Sequence, residues 1–184
     1  MSIFRHLDFS NQDVFKIVSE ESKDIKHSII EGPGLKVFQF PEHDFEVVFE
    51  QHRLIVNDKA GGPYKESKIS EILVDLMKMS KAEPKSYGYN FDFKVSVDDS
   101  FSTSNLLGEK LVSFDNISDI GATLSFDKDE LKVGLNIKPI KESDKEFWVH
   151  INIHHEETLP DSVDDIKANL ISSYKIAEEV ILSI

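Results

Sequence analysis

Residues 86–97 are SYGYNFDFKVSV, in which every second side chain from Tyr87 to Val97 is apolar. The intervening positions hold polar residues or glycine. An apolar period of two predicts a β-strand with one buried face and one face in water. Antiparallel sheets commonly leave one face in water, whereas all-parallel sheets are covered on both faces. Residues 86–97 therefore predict an antiparallel sheet.

The same period recurs on both sides of this strand. Residues 45–56 predict a β-hairpin, and residues 122–126, 131–137 and 147–153 predict a three-stranded meander. Two shorter strands flank the Gly-Pro-Gly turn at 32–34. These runs supply the strands of the predicted sheet.

Helical spacing of apolar residues appears in three places, at 11–21, at 69–80 and after Pro160. The last stripe runs from Val163 to Ile184, and acidic residues occupy its first turn, where the helix dipole favours negative charge. The element order predicts an α+β fold. It is a mainly antiparallel sheet of roughly six or seven strands, with helices packed on one face and a long C-terminal helix. No linker divides the chain, so 1–184 is expected to form a single domain.

Composition narrows the classes of partner. Asp and Glu number 34 against 21 Lys and Arg, a formal net charge of −13, which opposes binding to nucleic acid and to anionic membranes. No stretch has the length of a membrane span or of a signal peptide. The absence of cysteine excludes disulfides, thiol catalysis and iron–sulfur clusters, and a reducing, cytoplasmic location is the simplest interpretation.

The candidate site lies around the predicted strand at 148–156, where the apolar alternation runs from Phe147 to Ile153. Its odd positions are apolar, so its even positions should project into water, beside Asn90, Asp92 and Lys94 or beside Lys132, Asn136 and Lys138 if those strands are neighbours. A large aromatic side chain on a wet face usually covers something. The candidate ligand- or partner-binding residues are Trp148, His150, Asn152, His154, Asn90 and Asn136.

Other chemistry lacks support in the sequence. His150 and His154 are four residues apart on one strand, roughly 13 Å, so they cannot share a metal ion. No serine lies in a nucleophile elbow. The paired carboxylates at 98–99, 127–129 and 164–165 fall in predicted turns or helix starts, where acidic residues have structural roles. We expect neither a metal nor a cofactor.

Two functions remain open. The first is a non-enzymatic binding or assembly module that uses the wet face of its sheet, as a homodimer or with a protein partner. The alternative is an enzyme acting on a small ligand, with His150, His154 and neighbouring Asn or Asp residues as acid, base and orienting groups. The shape of the face would discriminate them, since a cleft favours a substrate and a flat face a partner. The chain resembles SecB-like chaperone and antitoxin-associated domains in having a sheet with one buried face, a long terminal helix and strong acidity. The resemblance is at the level of the fold alone.

Overall fold

The computed structural model describes residues 10–19, 26–50, 52–80, 84–97, 121–140 and 145–183. The carboxylate pair at 98–99 lies outside these ranges. So do Leu106, Leu107, Leu111 and Val112, whose spacing hints at one or two further helical turns. No helix within them is long and apolar enough to cross a membrane.

The chain divides into two compact units. The first comprises Met1–Lys85 and Thr158–Ile171, and the second comprises Ser86–Glu157 and Ser172–Ile184. Each unit contains one four-stranded antiparallel sheet. The expectation of a single domain over 1–184 stays a prediction.

The sheet of the first unit is a simple meander in the order β1-β2-β3-β4. Its strands are β1 (Ser28–Gly32), β2 (Leu35–Phe40), β3 (Phe45–Glu50) and β4 (Leu54–Asp58). Helices α1 (Asn11–Ser19) and α2 (Ile69–Ser80) contribute apolar side chains to the core on one face of this sheet. The core residues of this unit include Val14, Phe38, Phe40, Val47, Phe49, Ile72 and Leu76.

Serine side chains cap the helices that the sequence predicts. At α1 the hydroxyl of Ser10 accepts a hydrogen bond from the backbone N–H of Asp13 at 3.3 Å and donates to its carboxylate at 2.6 Å. Ser162 makes the same pair of contacts with Asp165 at the start of the third helix, α3 (Val163–Leu182). These contacts satisfy backbone donors that have no partner inside the helix.

The sheet of the second unit has the order β5-β8-β7-β6. Its strands are β5 (Tyr87–Ser96), β6 (Ala122–Lys128), β7 (Leu131–Pro139) and β8 (Glu146–His155). A two-residue turn joins β6 to β7 through Asp129 and Glu130, whose φ angles of 50° and 67° suit the right-handed twist of a hairpin.

One face of this second sheet forms the core of its unit. The part of α3 that belongs to this unit packs Ile176, Ala177 and Val180 with that core. The sheet residues buried there are Val133, Leu135, Ile137, Phe147, Val149, Ile151 and Ile153. These are the positions at which the sequence predicted a buried face.

The α+β class, the antiparallel pairing and the C-terminal helix are therefore as predicted, but the strand grouping differs. The described strands number eight and form two sheets of four, rather than one sheet of six or seven. The physical reason is that periodicity reports which face of a strand is buried, but not which strands it pairs with. The pairing of β5 with β8, which are distant in sequence, leaves no local signal.

Candidate functional site

The exposed face of the second sheet brings together all six residues that the sequence selected. Strand β8 lies between β5 and β7, so both groups of neighbours considered from the sequence adjoin it. We call this surface the Trp148 face. Its residues are Gly88, Asn90, Asp92, Lys94 and Ser96 on β5, Glu146, Trp148, His150, Asn152 and His154 on β8, Lys132, Gly134, Asn136 and Lys138 on β7, and Thr123, Ser125 and Asp127 on β6.

Trp148 is the only tryptophan of the chain and is 53% exposed. It stands on an interior strand, opposite Lys94 of β5 and Lys138 of β7. The ammonium group of Lys94 lies 2.7 Å from the carboxylate of Glu146. Both register partners of Trp148 are thus lysines, and about half of the indole surface is exposed to solvent.

His150 occupies the next row across the sheet, between Asp92 and Asn136. Its Nδ1 lies 2.8 Å from Oδ1 of Asp92, which orients the imidazole ring. Asn136 donates from Nδ2 to the hydroxyl of Thr123 at 3.1 Å, at the β6 side of the same row. Both side chains of the His150–Asp92 pair are exposed, so solvent weakens their electrostatic interaction.

Asn152 lies in a row with little side-chain bulk. Its Nδ2 donates to Oδ1 of Asn90 at 2.8 Å, and its partner on β7 is Gly134. A Cβ atom at Gly88 would lie 3.1 Å from the carbonyl oxygen of Ile153 and 3.3 Å from Nδ2 of Asn152, so a larger residue would be crowded there. The close approach of β8 therefore favours glycine at position 88, and Gly134 places no side chain on the β7 side of Asn152.

His154 marks the end of the face away from Trp148. It lies opposite Gly88 and Lys132, and Lys132 forms an ion pair with Glu156. The structure thus places the six candidate residues on one surface, across strands β5, β8 and β7. Their role in binding stays a prediction.

The charges of the Trp148 face cancel. Its three lysines, at 94, 132 and 138, are matched by three carboxylates, at 92, 127 and 146, in a chain whose formal net charge is −13. A neutral surface on an acidic protein carries no net repulsion toward another acidic protein. No group of three or more potential metal ligands occurs within the ranges that the structure describes.

A buried polar cluster beneath the opposite face escaped the sequence-based interpretation. His155 is 6% exposed, and its Nε2 lies 3.1 Å from the hydroxyl of Ser173 on α3. The ring stacks on Tyr87, with centroids 4.5 Å apart and an interplanar angle of 9°. The hydroxyl of Tyr87 donates to Glu157 at 3.0 Å, and Glu157 also lies 3.6 Å from Nδ1 of His155. The signal was present, because position 155 continues the odd, buried positions of β8.

The order serine, histidine, glutamate is that of a hydrolytic triad, but the geometry favours a structural role. Ser173 is 0% exposed, so a substrate cannot reach its hydroxyl. Burial lowers the pKa of His155, and the nearby Glu157 carboxylate opposes that effect only in part. A neutral His155 can share a hydrogen bond with Ser173 and hold α3 to the sheet within this unit.

The candidate site is therefore a polar sheet face without net charge, from which one exposed indole projects. No protein-family model, curated protein or solved structure matches this chain.

Proposed function

We propose that the chain is a non-enzymatic binding or assembly module whose Trp148 face binds a protein partner. The single observation that supports this is the 53% exposure of Trp148 on an interior strand. Tryptophan is enriched among the few residues that dominate the energy of protein interfaces. Removing an exposed indole from water buries a large apolar surface, so a second molecule that covers Trp148 would gain binding free energy there.

The surroundings of Trp148 define the chemistry of the partner. An apolar side chain of the partner would cover the indole, and its carboxylates would approach Lys94 and Lys138 on either side. The amides of Asn152 and Asn136 can hydrogen-bond to a polypeptide backbone. Nucleic acid is disfavoured as a partner because the face has no excess of positive charge. We also propose a cytoplasmic location, which cell fractionation would test.

The experiment begins by identifying the partner. A photo-crosslinking amino acid at position 148 of the full chain, expressed in its native cells, should yield one covalent adduct of defined mass. Position 124 supplies the matched control, because Leu124 is also 53% exposed but lies on the opposite face of the same sheet.

The binding constant of the purified partner then tests the site. The double variant Trp148→Ala, His150→Ala should bind at least about 30-fold more weakly, the loss expected at an interface hot spot. Leu124→Ala should bind as the wild type does. Unchanged affinity in the double variant, with its fold confirmed by circular dichroism, would reject the proposal.

The His150–Asp92 contact favours one second candidate, an enzyme acting on a small ligand. A carboxylate 2.8 Å from Nδ1 orients an imidazole as general bases require. This candidate predicts a stoichiometric small-molecule adduct in native mass spectrometry. The adduct should be lost in Asp92→Asn and retained in Leu124→Ala. A protein that carries no adduct and still binds its protein partner would leave the binding module as the function.

A further inference from the structure

The first sheet carries apolar residues on the face opposite its core. Cross-strand pairing aligns Ile30 with Val37, Val37 with Val48, and Val48 with Ile55. These four residues form one continuous row across all four strands, which we call the apolar band. Helices α1 and α2 pack with the core on the other side, so the band is additional to that core.

The exposure of the band increases toward β1. Val48 is 8% exposed in the middle of the sheet, Val37 and Ile55 are half-buried, and Ile30 is 51% exposed. Soluble proteins seldom gather apolar side chains into a row on an exposed sheet face without a use for them. Ile30 is the position where contact with a second molecule would remove the most apolar surface from water.

Hydrogen-bonded polar residues border the band on one side. Gln39 receives a hydrogen bond from Ser28 at 2.8 Å and donates to Glu46 at 3.1 Å. Asn57 and Lys59 each donate to the same carboxylate at 3.0 Å. Because these groups already hydrogen-bond to one another, burying them at an interface would cost less than burying polar groups without such partners.

The other border is an ion pair between Glu50 and Arg53. Both borders therefore balance their charges locally, although the whole chain carries −13. An apolar centre with a polar rim is the usual anatomy of a protein interface. Two copies of so acidic a chain repel each other unless the surfaces that meet are neutral.

We propose that two copies of the chain associate face to face through the apolar band. A two-fold axis along the band would place Ile30 of each copy against its counterpart. The same axis would place the Glu46–Lys59 border of one copy opposite the Glu50–Arg53 border of its partner, so two borders without net charge would meet. This interface uses the first sheet, whereas the Trp148 face belongs to the second, so each of the two proposals can be tested and rejected independently of the other.

The size of the sheet sets the strength of the dimer. Four strands about 4.8 Å apart and strands of five or six residues give a face of roughly 19 by 18 Å. That face is smaller than the ~800 Å² per partner of a standard stable interface. We therefore expect a reversible dimer with a dissociation constant in the micromolar range or above.

Sedimentation velocity of the full chain over a concentration series tests the proposal. The wild type should shift from monomer to dimer, and Ile30→Lys should weaken the dimer by at least about tenfold because each copy would bury an ammonium group. Leu124→Lys is the matched control, since Leu124 is equally exposed in the other unit. It should associate as the wild type does.

A cross-linking variant covers the case in which Ile30→Lys fails to fold. The chain has no cysteine, so Ile30→Cys and Leu124→Cys each introduce a single thiol. Stacked sheets lie about 10 Å apart, too far for a disulfide but within reach of a short bis-maleimide. Ile30→Cys should form covalent dimers faster than Leu124→Cys does.

Three results would overturn the band dimer: a monomeric wild type at every concentration, equal cross-linking of the two thiols, or a dimer lost in Trp148→Ala but kept in Ile30→Lys. The last result would support assembly through the Trp148 face instead. A monomer that still binds its protein partner would overturn only the band dimer.

Discussion

The two sheets use the same antiparallel architecture but distribute their side chains differently. In the second sheet the exposed face is polar and a single large apolar side chain, Trp148, projects from it. In the first sheet the exposed face contains a whole apolar row, from Ile30 to Ile55. Strict alternation thus separates a buried face from a face in water, and the two departures from it, at Trp148 and in the row from Ile30 to Ile55, are where we propose further contacts.

The largest effects should come from the two cores. Phe49 and Ile151 are both 0% exposed, one in each unit. We expect Phe49→Ala to cost about 3–5 kcal/mol of unfolding free energy and Ile151→Ala about 2–5 kcal/mol, because each leaves a cavity. Urea denaturation followed by circular dichroism measures both. A cost below about 1 kcal/mol at either site would contradict the assigned core.

The same pair of variants shows whether the two units unfold together or separately. If 1–184 is the single domain that the sequence predicts, both sheets should unfold in one shared transition, and each variant should lower its urea midpoint. Hydrogen exchange would then show faster opening in both sheets. Faster exchange confined to the sheet that carries the substitution would show that the units unfold separately.

The next effect concerns the polar cluster of the second unit. Each histidine that the structure describes in the first unit is exposed, so no such cluster occurs among its described residues. Ser173→Ala should cost about 1–3 kcal/mol because it leaves Nε2 of the buried His155 without its hydrogen-bond partner. Ser172→Ala, at the exposed neighbouring position, is the control and should change stability by less than about 0.5 kcal/mol. Equal urea midpoints for the two variants would contradict the role of this hydrogen bond.

A pH dependence should accompany this cluster. Burial lowers the pKa of His155 in the folded chain, so between the folded and unfolded pKa values the unfolded chain binds more protons. The contribution of neutral His155 to the free energy of unfolding is complete above the pKa of the unfolded chain, about 6.5. It is lost as the pH falls toward the pKa of the folded chain. Urea midpoints measured from pH 8 to pH 5 should decrease, and His155→Gln should reduce that decrease. An identical pH profile in the variant would contradict the assignment.

The smallest effect on stability should come from Trp148. Because its side chain is exposed and its neighbours are lysines, Trp148→Ala should change the unfolding free energy by less than about 0.5 kcal/mol. A loss above about 2 kcal/mol in urea denaturation would instead show that the indole supports the fold. Small cost to stability with a large loss of binding is the signature of an interface residue.

Much of the second sheet was predictable from sequence. The alternation at 86–97 identified β5, and the even positions of β8 placed Trp148, His150, Asn152 and His154 on one face. Long alternating strands carry this information because a one-residue slip would expose the entire core face. The neighbours Asn90 and Asn136 could be named for the same reason.

Three features could not be read from the sequence. The division of the strands into two sheets depends on pairing between distant segments, which side-chain period does not encode. The apolar band became visible only when the register aligned Val48 with Val37 and Ile55, although the double valine at 47–48 was a sign that β3 has two apolar faces. The contact between His155 and Ser173 joins two elements and required the packing of α3.

Trp148 itself reports most directly whether a partner binds the Trp148 face. As the only tryptophan, it reports its own exposure through acrylamide quenching of its fluorescence. The measurement compares the full chain alone with the chain saturated by the partner captured at position 148. Saturation should sharply reduce quenching, because the partner would cover the indole. Quenching that stays the same at saturation would show that the partner binds elsewhere and would contradict the Trp148 face as the binding site.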